Sequence, residues 1–246
     1  MSTEDNRSRR DFLSTTPVAL AAIATMPAMA QAPAKETAVS LVPAFQASDS
    51  ARPLPFDPAK LNGLSERMVR SHWENNYTGS VKALAVVKKR LAEAQSDKDL
   101  PAYIYNDLKR EHLLRTGSIV FHEHYFDNLG GSGKAGARER QTLAQAFGSF
   151  DAWEAEFRRI GAGLGGGSGW TVLGFNMHTH QLENYWMADH AHGPAATVPI
   201  LVMDMYEHSY QMDFGAAAAK YIDAFFQNVN WERVAARLEM VGATRG

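Results

Sequence analysis

The amino-acid sequence predicts an α+β protein in which an N-terminal helical hairpin leads into a small three-stranded antiparallel sheet and two closing helices. Three observations carry this. Apolar residues recur at helical spacing from Asp57 to about Asn128. After Gly169 the period changes to three short apolar runs, each bounded by Gly, Asn, His or Pro. Helical spacing then returns at Ala216 and lasts to the end. A hydrophobic content of 45% with 21% charged residues suits a globular chain with one or two cores.

The elements follow in order. Residues 1–30 hold Ser8-Arg9-Arg10-Asp11-Phe12-Leu13, an apolar stretch from Pro17 to Ala24, and Ala28-Met29-Ala30, a small-x-small cleavage pattern. This resembles a twin-arginine signal peptide cut after Ala30, which implies export in a folded state to a bacterial periplasm. Arg7, Arg9 and Arg10 balance Glu4, Asp5 and Asp11, so cleavage leaves the net charge unchanged. Residues 31–56 mix Ala, Ser and Pro without period and read as an arm or linker with no visible chemistry.

A helical hairpin is expected over 57–133. Leu84, Val87 and Leu91 recur on one face, a second helix runs from Leu100 to about Asn128, and the two join near Ser96-Asp97. Gly130-Gly131-Ser132-Gly133 breaks the pattern. The C-terminal α/β domain is then 134–246, where Ser149 can cap a helix holding Phe150, Trp153 and Phe157 that stops at a glycine cluster. The strands are Trp170 to Phe175, Leu182 to Met187 and Val198 to Met203. A helix from Ala216 to Phe226 and another after Asn230 close the chain.

Several functions are excluded at once. Without cysteine there is no disulfide, iron–sulfur cluster, thiolate zinc site or thiol nucleophile, so any metal is held by nitrogen and oxygen. A net charge of -2, with both signs interspersed, argues against a nucleic-acid partner. No uninterrupted run of eighteen apolar residues follows the N-terminal segment, so the body of the chain does not read as membrane-spanning. Gly161-x-Gly163-x-x-Gly166 matches the dinucleotide fingerprint formally, but it follows a helix and precedes a strand, the reverse of what a phosphate cradle needs.

The nine histidines are where chemistry is expected. His72 lies in a predicted helix with Asn76 and Ser80 one and two turns along its face. His122 sits in the second helix, and Asp204 ends a buried strand four residues before His208. A carboxylate at such a strand end is costly unless it is paired, hydrogen-bonded or bound to metal. Three imidazoles and one carboxylate suit manganese, iron or zinc, and the spacing does not choose among them. His178, His180 and His192 read as solvated turn residues.

These residues carry a resemblance to the iron/manganese superoxide dismutase family from about Leu54 onward. Asp204-x-Tyr206-Glu207-His208-x-Tyr210 is similar to the family's Asp-x-Trp-Glu-His-x-Tyr signature, and Asn230-Trp231-Glu232 to its C-terminal Asn-Trp-Glu. Gly167-Ser168-Gly169-Trp170 and His122-x-x-Tyr125-Phe126-x-x-Leu129 match two further motifs. The resemblance implies one iron or manganese ion per subunit on His72, His122, Asp204 and His208, with superoxide as substrate. It also implies a homodimer with Glu207 at the interface, and His190 as the residue that hydrogen-bonds the metal-bound solvent.

The sequence departs from the family in the residues around the ligands. The family's first helix reads His-x-x-x-His-x-x-x-Tyr, where this chain has His72, Asn76 and Ser80. Gln211 replaces the tyrosine that partners the middle histidine across the dimer. Tyr206, Phe126 and Val172 stand for family tryptophans, and Ala218 for an arginine at the funnel mouth. These changes predict slower or more product-inhibited turnover through altered proton delivery. The alternative from another class is an exported metal-binding protein of this fold with weak or no dismutase activity.

Overall fold

A computed structural model describes residues 41–243; the arginine-pair motif and the cleavage box lie outside them. Ser65 opens the first helical run by accepting the Met68 N–H on its hydroxyl, and α1 (Glu66–Ser71) follows. The run passes through a π-helical turn (His72–Tyr77) into α2 (Thr78–Gln95). A connection at 96–101 turns the chain into α3 (Ala102–Asp127), which doubles back along α2. Pairs such as Tyr77 with Glu123 and Ser80 with Ser118 mark the antiparallel alignment.

Next comes α4 (Ala137–Phe147), a helix that periodicity does not reveal. The hydroxyl of Ser149 accepts the Ala152 N–H and opens α5 (Phe150–Leu164), which ends at Gly165. The sheet consists of β1 (Trp170–Asn176), β2 (Gln181–Met187) and β3 (Thr197–Asp204). It is antiparallel in the order β2-β1-β3, so β1 is central and fully flanked. In this register Trp170 faces Met187 on one side and Asp204 on the other, which places the strand-end aspartate beside the start of the central strand. The short α6 (Gln211–Phe214), α7 (Ala218–Gln227) and α8 (Trp231–Met240) complete the chain, and the Asn230 side chain caps the last.

Packing follows from the apolar faces. Trp153, Phe157, Phe226 and Trp231 pack ring against ring where α5, α7 and α8 meet. Each such burial contributes about 1.5–3 kcal/mol. Arg237 of α8 donates to Asp127, to the Asn128 side chain and to the Ile200 carbonyl, while the Asn128 amide donates to the Val202 carbonyl (3.0 Å). This clamp holds the C-terminal end of α3 against β3. The arm at 41–56 also carries interactions the sequence does not announce: the Trp73 indole donates to the Arg52 carbonyl (2.9 Å), and Arg52 pairs with Glu123 (2.8 Å). No helix among the described residues is long and apolar enough to cross a membrane.

Candidate metal centre

Four elements deliver four ligand-type side chains to one point. His72 comes from the π-helical turn, His122 from α3, Asp204 from the last residue of β3, and His208 from the 3-10 turn (Glu207–Ser209) that follows. One ligand atom from each of the four lies within 4.8 Å of all the others. The Asp204 Oδ2 oxygen is 3.1 Å from His72 Nε2, 3.3 Å from His208 Nε2 and 3.6 Å from His122 Nε2. His72, His122 and Asp204 are buried, and His208 is the partly exposed member.

The protonation pattern leaves a space that a cation would fill. His122 Nδ1 lies 2.7 Å from the Ser118 carbonyl oxygen, which can only accept, so Nδ1 carries the proton. Burial, reinforced by neighbouring His72, holds the His122 imidazole well below its ordinary pKa, so its Nε2 is a bare lone pair. Both His122 Nε2 and His72 Nε2 are buried nitrogens without a hydrogen-bond partner. Orphaned buried polar atoms are rare because each costs about 1–3 kcal/mol. Lone pairs converging on a carboxylate oxygen repel one another unless a positive ion lies between them. The donor set of three imidazoles and one carboxylate fits iron or manganese.

Asp204 is held ready for such an ion. Its Oδ1 accepts the Tyr206 N–H (2.8 Å), its carbonyl accepts from Tyr221 (2.7 Å) and Ser209 (2.9 Å), and Oδ2 is left to face the histidines. Burial alone would push this carboxyl up, but positive charge and N–H donation from the His208 and His72 rings in their protonated form outweigh it and hold it well below the usual carboxylate range.

A cleft of ≈ 310 Å³ leads to the cluster, lined among others by Asn76, Ser80, Arg115, Ser118, His190 and His208. The π-helical turn widens the helix at His72, yet Asn76 and Ser80 still line this cleft; Tyr77 turns the other way, donating to Glu123 Oε1 (2.8 Å). Burial, with the Glu123 carboxylate beside it, pushes the Tyr77 hydroxyl up to about 12. His190 sits over His122, ring centres 5.7 Å apart. Its Nδ1 accepts from the Trp170 indole (3.0 Å), and burial keeps the ring neutral, so the proton stays on Nε2. Tyr206 stacks between His190 (4.6 Å) and His208 (5.1 Å), and Glu207 is exposed.

Arg115 of α3 lines the cleft but is not singled out by the sequence reading, while Ala218, which stands for the family's arginine, is buried at the start of α7. The only trace of Arg115 in the sequence is its spacing, since 115, 118 and 122 fall on one helix face. Ser118 was equally open to discovery on that face, one turn before His122.

Comparison with known proteins agrees with this geometry. The family of iron/manganese superoxide dismutases, C-terminal domain, matches residues 135–237. The chain is 48% identical over 186 residues to an iron superoxide dismutase of Cupriavidus metallidurans, covering 76% of this chain and 94% of that protein. It is 31% identical over 189 residues to the iron superoxide dismutase of Aquifex aeolicus (74% and 87% covered). It is also 30% identical over 193 residues to manganese superoxide dismutase 2 of Haloferax volcanii (76% and 94% covered).

Proposed function

The chain belongs to the iron/manganese superoxide dismutase family, and on that premise we propose that it disproportionates superoxide at one iron or manganese ion held by His72, His122, Asp204 and His208. Two superoxide anions and two protons give one dioxygen and one hydrogen peroxide. The observation that carries the reading is the convergence of four ligand atoms, two of them buried nitrogens without partners. When bound, the ion supplies one-electron redox chemistry between its divalent and trivalent states.

The chain's own residues do the rest. Asp204 brings the negative charge that offsets the cation, and the Tyr206 N–H fixes which of its oxygens faces inward. Ser118 fixes the His122 tautomer through its carbonyl. Arg115 places a positive charge at the cleft through which the anionic substrate enters. His190 lines the cleft with its proton on Nε2, and Ser80 and Ser118 form a hydroxyl pair at the cleft wall (2.8 Å) from which peroxide can be protonated through water. Asn76 lines the same wall without a titrating proton of its own.

Three finer assignments belong to the same reading. The sequence Ser8-Arg9-Arg10-Asp11-Phe12-Leu13 supports export by the twin-arginine machinery to the periplasm, with the ion inserted before export. The exposed Glu207, next to His208, supports a homodimer in which it meets the partner's site, and Gln211 and Asn76 form a matched polar replacement there. Metal analysis tests the core of the proposal. Purified protein is expected to hold about one iron or manganese per chain, and Asp204→Ala to lose it; a metal-free wild type without dismutation would overturn the assignment.

A further inference from the structure

We propose that Gly117 is a positioning residue for His190: α3 is bare at this point so that the backbone of the β2–β3 loop rests directly on the helix, and this contact sets where the His190 ring stands over the metal ligands. The inference deepens the metal-site reading above and rests on it. Gly117 lies in the interior of α3, where glycine is a poor helix former, one residue before Ser118 and five before His122. A Cβ built on it would fall 1.8 Å from the His190 carbonyl oxygen and 2.8 Å from its carbonyl carbon, closer than real Cβ atoms ever approach. The obstacle is backbone, so no side-chain rotation relieves it.

The loop is fixed on its other sides. Ser168 donates to the Ala188 carbonyl (3.0 Å), Asp189 accepts the Ala191 N–H (2.7 Å), Trp170 donates to His190 Nδ1 (3.0 Å), and Tyr206 stacks on the ring at 4.6 Å. A methyl group at 117 therefore lifts His190 away from α3. Carbonyl and ring belong to the same residue, so the ring moves with the backbone and loses its Trp170 bond. The ring, which lines the cleft beside His122, is then displaced without any change in the four ligands.

The test is the midpoint potential of the bound ion by redox titration in the wild type, Gly117→Ala, His190→Ala and the double variant. Gly117→Ala is expected to keep its metal and to shift the potential in the same direction as His190→Ala. In the His190→Ala background it is expected to add no further shift, because no ring remains to be displaced. An unchanged potential in Gly117→Ala, or an equal shift in both backgrounds, overturns the inference while leaving the metal-site reading intact. A wild type with no titratable ion overturns that reading instead. Should Gly117→Ala fail to fold, Ser168→Ala frees the same loop at Ala188 without touching α3; it is expected to shift the potential in the same direction, and an unchanged value overturns the proposal.

Discussion

Replacing Ser118 by alanine tests the hydroxyl pair beside the site, and its cost follows from the geometry. The Ser118 hydroxyl is 2.8 Å from the Ser80 hydroxyl and 3.2 Å from His122 Nδ1. The tighter bond to His122, 2.7 Å, comes from the Ser118 backbone carbonyl and survives the substitution. The loss therefore falls on Ser80, whose hydroxyl is left buried at 5% exposure without its partner. Stranding a buried hydroxyl costs about 1–3 kcal/mol, whereas Ser80→Ala takes the same bond from Ser118 but leaves it His122 Nδ1 at 3.2 Å. The double variant strands neither, so the two costs overlap by about 1 kcal/mol or more. Urea denaturation of the metal-free protein, followed by far-ultraviolet circular dichroism, measures all four corners of this cycle. Additivity within about 0.5 kcal/mol would refute the coupling. Loss of metal from Ser118→Ala would refute the claim that the carbonyl, and not the hydroxyl, orients His122.

Other residues give independent tests. Arg115→Ala is expected to lower kcat/KM at low ionic strength and to flatten its decline with added salt, as stopped-flow assays across a salt series would show. Arg237→Met breaks the clamp on Asp127, Asn128 and the Ile200 carbonyl and is expected to cost about 1–3 kcal/mol in denaturant unfolding, since it strands the buried Asn128 oxygen and the Ile200 carbonyl while Asp127, partly exposed, keeps Arg233. Burial, with the guanidiniums of Arg237 and Arg52 adding to it, lowers His124 to about 4. The fold thus favours the neutral ring. Its contribution is complete above pH 6.5 and is lost as the pH falls from there toward 4, about 3 kcal/mol in all. Acid titration of stability in His124→Gln is expected to lack this slope.

Much of the fold was legible because its signals are local. Ser149 caps α5 as its spacing with Phe150 and Trp153 suggests, and the switch to short apolar runs after Gly169 marks the sheet. The helix α4 escaped because it buries only a narrow stripe, Glu139, Thr142 and Leu143, within a polar segment that carries no clear period. The π-helical turn escaped because nothing in His72–Tyr77 announces an extra residue per turn, and only tertiary packing sends Tyr77 to Glu123 while His72 faces the cluster. At the site, Asp204 stood out by the cost of burying a carboxylate at a strand end. Gly117 could not stand out, since its meaning lies in a loop more than seventy residues away. Arg115 shares a helix face with His122, but a lone arginine on a helix with many charged residues carries no signal of its own.

The central claim is that this chain is a working dismutase at the four-residue cluster, and the superoxide dismutation rate per bound iron or manganese tests it most directly, with His208→Ala as the control. The account predicts clear turnover per bound ion, abolished in His208→Ala. Because Asn76 and Ser80 alter proton delivery, this turnover is expected below the diffusion ceiling of about 10⁸–10⁹ M⁻¹s⁻¹, for which superoxide dismutases are a standard example, or limited by product. Full metal occupancy with negligible turnover in the wild type, or an undiminished rate in His208→Ala, would contradict it, the first outcome favouring a metal-binding protein of this fold.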